Sequence, residues 1–241
     1  MGDSVMIRSI IVFGGMIVYL VATIVPIFIA SLVDKSGNVI HIFGRHFGSW
    51  ILFLSKVKVD VTGLENIEPD RPRIYMSNHQ SYYDVFALLG CLRVQFRWMV
   101  KKELFQIPLL GFGMSRCGHI SIDRRNPIKA LESLKIAARR IRNGASVVLF
   151  PEGSRSPDGK IKKFKKGGFF LALRAGVPIV PISITGAFSV LPRNQLKITP
   201  GTIKIVIDKP IYPGRLSRKE RDNLLLKVRG VIVKNFEQYS R

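Results

Sequence analysis

The stretch Ile74-Tyr75-Met76-Ser77-Asn78-His79-Gln80-Ser81-Tyr82-Tyr83-Asp84 decides how this chain is read. Ile74-Tyr75-Met76 is a short apolar run of strand character. Asn78 to Ser81 is a polar turn, and the residues after Ser81 begin a helix. A strand, a turn and a helix in that order can fold His79 and Asp84 together at the mouth of a sheet. Histidine titrates near neutrality and so suits a general base. A carboxylate beside it holds one ring nitrogen protonated and leaves the other free to take a proton. The same residues have a plainer use. Ser81-x-x-Asp84 is a capping-box pattern in which the acid serves main-chain N–H groups, and His79 on its own could be an ordinary turn residue.

Downstream, short apolar runs alternate with amphipathic stretches. Val57–Thr62, Arg73–Met76, Arg97–Val100, His119–Ile122, Ser146–Phe150, Ile179–Ile184 and Ile203–Ile207 read as strands. Val85–Leu92, Pro127–Asn143, Gly168–Ala175 and Arg218–Tyr239 read as helices. This alternation predicts an α/β fold, a mostly parallel sheet flanked by helices. Ligands of such sheets bind beyond the carboxyl ends of the strands. Three of the expected strands are followed there by polar clusters: His79 after the first, Asp123-Arg124-Arg125 after another, and Pro151-Glu152-Gly153-Ser154-Arg155-Ser156 after a third. Arg124 and Arg155 suit a phosphate, because a guanidinium meets its oxygens in pairs. Gly153 allows close approach of the backbone to a ligand, Glu152 can accept a bond from a hydroxyl, and Lys101 adds positive potential. Arg124 also reads as a solvated loop charge paired with Asp123. No phosphate-loop pattern and no G-x-S-x-G elbow is present.

The chain has 241 residues and a formal net charge of +22, and 47% of its residues are hydrophobic. Its mean hydropathy is +0.20. That apolar content excludes a disordered chain. So strong a positive charge points to nucleic acid or to an anionic membrane surface. The N-terminus separates the two. Ser9–Val33 is 25 residues without a formal charge, or about 37 Å as a helix against about 30 Å of hydrocarbon. Pro26 and the Gly14-Gly15 pair predict a bend in it. Ile40–Val57 follows a short polar turn and carries Phe43, Phe47, Trp50, Ile51 and Leu54 on one helical face. Together they predict a membrane-associated helical hairpin over residues 1–56, seated in one leaflet, ahead of an α/β body over 57–241. A single spanning helix is the alternative. Nucleic acid is not an expected partner. The six cations from Arg155 to Lys166 form a solvated face that can meet anionic headgroups. The two cysteines, Cys91 and Cys117, give neither a disulfide framework nor a metal site.

Four ordered blocks resemble the 1-acylglycerol-3-phosphate acyltransferase (lysophosphatidic acid acyltransferase) family. They are Asn78-His79-Gln80-Ser81-Tyr82-Tyr83-Asp84, Gly118 to Arg124, Phe150-Pro151-Glu152-Gly153-Ser154-Arg155-Ser156, and Val177 to Ile182. The resemblance implies acyl transfer from a thioester, acyl-CoA or acyl-ACP, to the sn-2 hydroxyl of lysophosphatidic acid, with no cofactor and no metal. His79 would be the general base and Asp84 its partner. Arg124 and Arg155 would hold the phosphate, and Glu152, Gly153 and Ser154 would line the acceptor site. It also implies work at the cytoplasmic face of the cell membrane, where the donor arrives. Transfer to another acceptor, such as glycerol-3-phosphate or another lysophospholipid, and a non-catalytic lipid-binding role are the competing readings.

Overall fold

A computed structural model describes residues 2–214 and 217–240. Seven strands form one sheet: β1 (Val57–Thr62), β2 (Ile74–Ser77), β3 (Arg97–Lys101), β4 (Ile120–Ile122), β5 (Val147–Leu149), β6 (Ile179–Thr185) and β7 (Gly201–Ile207). Their spatial order is β1-β7-β6-β2-β5-β3-β4. Every pairing is parallel except β6 with β7, so β1 and β7 run against the other five. All seven expected strands are present, within about two residues at each end.

Side chains alternate across a strand, and here both faces are covered. On β2, Ile74 and Met76 join one core, while Tyr75 joins the other. On β5, Val147 and Leu149 lie on the first side and Val148 on the second. The first face is closed by α5 (Pro127–Arg142), α6 (Gly167–Ala175) and α8 (Arg218–Tyr239). Helix α5 starts where Asn126 accepts bonds from the Ile128 and Lys129 N–H groups, with Pro127 at its first position.

The second face is closed by α3 (Tyr83–Cys91), by the short α7 (Ala187–Val190) and by the N-terminal hairpin. That hairpin is α1 (Gly2–Val33) and α2 (Asn38–Leu54). Helix α1 runs unbroken through Pro26, and its segment Ser4–Val33 is long and apolar enough to cross a membrane. A Cβ at Gly15 would crowd the end of the Leu54 side chain, which would have to shift. Tyr19 donates to the Phe43 carbonyl at 2.9 Å and its ring lies 5.2 Å from that of Phe47. Phe47 and Leu54 of the apolar stripe legible on α2 thus meet α1. Ile51 of that stripe is instead buried against the body, together with His41, Gly48 and Leu52 on the neighbouring side of α2. Val12, Ile51 and Leu52 belong to the same core as Tyr75, Leu88 and Ile182. The chain turns at Lys56, which has a φ of 54°, but the packing runs across that point.

The hairpin turn is tied down as well. Arg97 on β3 donates to the Ser36 carbonyl at 2.9 Å and to Asn38 Oδ1 at 2.7 Å. Two elements had no legible signal in the sequence. One is α4 (Leu110–Arg116), which follows a 3-10 turn at Lys102–Gln106, and the other is α7.

The α2–α3 crossing is close enough to test. A Cβ at Gly48 would stand 2.8 Å from both the Phe86 carbonyl oxygen and Leu89 Cβ. Gly48→Val should cost about 2 kcal/mol or more through overpacking and lower the melting temperature in detergent. Gly14→Val is the control, since nothing lies within 4 Å of a Cβ there.

Candidate active site

β2 and β5 are parallel neighbours, with Met76 opposite Leu149. The loops that follow them therefore leave the sheet side by side. The first carries His79 and the second carries Pro151 to Ser156. The two are stitched together by main chain: Ser156 N–H donates to the His79 carbonyl at 2.8 Å. Asn78 extends the edge on the other side. Its amide donates to the Ile184 carbonyl at 2.7 Å and accepts from Ile184 N–H at 2.8 Å, a ladder rung made by a side chain past the end of β2.

His79 Nδ1 and Asp84 Oδ2 are 2.8 Å apart. The same carboxylate oxygen accepts the Gln80 N–H at 2.7 Å and the Ser81 N–H at 2.8 Å. One atom thus serves both the main chain of the turn before α3 and the imidazole, although α3 itself starts at Tyr83 without a side-chain cap. Asp84 is fully buried, while His79 keeps 14% of its side-chain surface. The imidazole lies flat on Phe150, with ring centroids 3.9 Å apart and 10° between planes. Phe150 in turn stacks on Trp98 at 5.7 Å. With Nδ1 bound to Asp84, Nε2 is the nitrogen turned away from the carboxylate.

Glu152 is turned inward. Its two oxygens accept the His79 N–H at 2.7 Å and the Lys162 N–H at 2.9 Å, and the residue is 3% exposed. It spends its carboxylate on holding two loops, where the sequence suggested a hydroxyl acceptor. Burial pushes its pKa from 4.5 up to about 7 against the pull of the two N–H donors. Gly153 has a φ of +80°, and the Lys165 side chain passes 3.0 Å from where a Cβ would sit. A side chain there would be strained and crowded.

The expected cations converge unevenly. Arg124 reaches across to donate to the Gly153 carbonyl. The Arg155 guanidinium lies 3.6 Å above the Tyr82 ring. Lys101 pairs with Glu103 at 3.2 Å and makes no ion pair with the His79 cluster. Ser154 is exposed and accepts a bond from Lys162 Nζ at 2.6 Å. Lys162 also donates to the Arg155 carbonyl at 3.2 Å, as does Arg193 at 3.1 Å. Lys162, Lys165 and Arg193 were not singled out from the sequence. The first two lie in a cationic run that reads there as a solvated face. What marks them is the loop closure by Glu152, which only the fold displays.

A family model described as Acyltransferase matches residues 58–185, the span that holds all of these groups except Arg193. The chain belongs to the acyltransferase family. Among its relatives, it is 35% identical to the chloroplastic 1-acyl-sn-glycerol-3-phosphate acyltransferase BAT2 of Brassica napus, over 83% of this chain and 62% of that protein. It is 37% identical to the 1-acyl-sn-glycerol-3-phosphate acyltransferase of Pseudomonas aeruginosa, over 69% of this chain and 64% of that one. The chain thus spans less than two thirds of the length of either curated relative. The crystal structure of the 1-acyl-sn-glycerophosphate (LPA) acyltransferase PlsC from Thermotoga maritima superposes with a TM-score of 0.81 at 29% identity, covering 98% of this chain and 96% of that one. This acyltransferase fold therefore includes the N-terminal hairpin as well as the sheet.

The raised pKa of Glu152 has a defined sign. Between about 4.5 and 7 the folded acyltransferase holds a proton on this carboxyl that the unfolded chain has lost. Its contribution to stability is complete below pH 4.5 and is lost as pH rises through 7. Glu152→Gln removes that titration. The melting temperature of the wild type should fall relative to the variant across this window, and parallel pH profiles would refute the assignment.

Proposed function

We propose that this protein transfers a fatty acyl group from a thioester to the sn-2 hydroxyl of 1-acylglycerol-3-phosphate, giving phosphatidic acid. The observation that carries the reading is the 2.8 Å contact between His79 and Asp84. It lies on a strand edge beside a loop ringed by Arg124, Arg155, Lys162, Lys165 and Arg193. The relatives' names supply the acceptor.

In this mechanism the acceptor's phosphate sits among those cations. A guanidinium has five donors, and Arg124 spends one on Gly153, so others remain for phosphate oxygens. The sn-2 hydroxyl then lies against His79 Nε2. His79 takes the hydroxyl proton as the oxygen attacks the thioester carbonyl carbon. The C–S bond breaks, and the imidazolium returns the proton to the departing sulfur. The buried carboxylate of Asp84 balances the imidazolium charge while it lasts. No acyl-enzyme is needed, because the acceptor is itself the nucleophile. Glu152 acts as a positioning residue through the His79 main chain.

Beside Tyr82 an apolar cavity of about 180 Å³ is lined by Val12, Phe13, Met16, Phe86 and Leu191. Tyr82 lines it and carries the Arg155 guanidinium over its ring. A cation and an apolar cavity at one ring suit an acyl ester of a phosphorylated glycerol. Helix α1 would seat the protein in a membrane, facing the compartment that supplies acyl-CoA or acyl-ACP, which in a bacterial cell is the cytoplasm. The run from Arg155 to Lys166 would add attraction to anionic headgroups.

The test is a panel of acceptors and donors with purified protein. Lysophosphatidic acid should be preferred over glycerol-3-phosphate and over zwitterionic lysophospholipids. His79→Ala should lower kcat by at least about 10²-fold, the usual general-base share. Arg124→Ala should raise the KM for acceptor and leave that for donor near wild type. Turnover of His79→Ala near the wild-type rate would sink the reading.

A further inference from the structure

We infer that the segment from Leu104 to Phe112 is a second membrane-inserting element, built into the catalytic body beside the anchor helix. It joins β3 to α4, so it leaves the sheet at the same edge as His79. Its apolar side chains point outward: Leu104, Ile107, Leu109, Leu110 and Phe112 are all exposed, Leu109 to 63%. Five exposed large apolar groups within nine residues form a patch of the kind that marks an interaction surface.

The backbone is built to hold it so. Leu109 has a φ of 62° and a ψ of −53°. Leu110 N–H donates to the Pro108 carbonyl at 2.7 Å. This is a γ-turn with positive φ, a strained arrangement for a branched residue. The strain is spent on aiming a leucine into solvent, which is itself unfavourable in water. Gly111 packs so tightly on the Phe105 carbonyl that no side chain would fit. The loop is thus compact, with its apolar groups on the outside.

The occupant is identified by what adjoins the patch. Phe112 stacks on Phe28 of α1, with ring centroids 6.2 Å apart. The patch therefore continues the exposed apolar face of α1, which includes Val21, Val25 and Leu32. Arg116 lies over Phe112 at 5.4 Å, and Lys101 and Lys102 at the base of the loop pair with Glu103 and Asp123. An apolar tip with Arg116 at its margin fits acyl chains below anionic headgroups. The inference rests on reading α1 as the membrane-seated helix. It adds a second point of contact on the catalytic edge, so the bilayer would fix the orientation of that edge as well as its proximity.

The test uses full-length protein in which Cys91 and Cys117 are replaced by alanine, with one cysteine introduced and labelled with an environment-sensitive fluorophore. The sites are Leu109→Cys, Val21→Cys on α1 and Ile128→Cys on α5. Vesicles of phosphatidylethanolamine and phosphatidylglycerol carry a nitroxide quencher about 5–10 Å below the headgroups. Emission from positions 109 and 21 should shift to the blue and be quenched, and that from 128 should do neither. Ile107→Cys takes the place of position 109 if that variant does not fold. A label at 109 that stays in water while the one at 21 enters lipid overturns this inference and leaves the anchor intact. Labels that stay in water at both sites overturn the anchor reading itself. A blue shift at 109 that grows with protein concentration in the absence of vesicles means that a second copy covers the patch, and also overturns it.

Discussion

One oxygen atom organises the strand edge that carries His79. Asp84 Oδ2 receives two main-chain N–H groups and the imidazole N–H. The two amides belong to the turn that carries His79, so the carboxylate shapes the turn and orients the ring at once. A buried carboxylate without such partners would be costly; three donors on one side make it tenable. The turn cannot relax without loosening the imidazole.

Glu152 does the corresponding work from the neighbouring strand. Its hold on the His79 and Lys162 amides brings the cationic loop to the imidazole. The parallel register of β2 and β5 makes this possible, because it ends both strands at the same level. Two carboxylates thus lie within one small region in different roles. Asp84 faces the ring, and Glu152 faces the backbone.

Much of this was legible in the residues. The strand and helix spans followed from apolar periodicity, as with the helix from Pro127 to Asn143. The pairing of His79 with Asp84 followed from a spacing that a strand, a turn and a helix could close. What the sequence could not display were contacts between distant segments. Phe150 under the imidazole and Lys162 at Glu152 depend on the order of strands in the sheet. The inward turn of Glu152 depends on which loop lies beside it. His41 interrupts an apolar helix in the sequence, yet it is buried edge-on to Phe96 at 4.5 Å. Helix α2 has two packing faces, and a one-sided periodicity reveals only one. The reversal of β1 and β7 has no local signature at all.

The Gly48 crossing has a mechanical consequence. Helix α3 begins at the Asp84 carboxylate, rests on α2, and α2 rests on α1. No flexible leash intervenes between the apolar helix and the His79–Asp84 pair. A bilayer that held α1 would hold the imidazole at a set height, like a tool in a fixed mount. The enzyme would then sweep the leaflet in which it sits and could not swing out to serve an opposing surface.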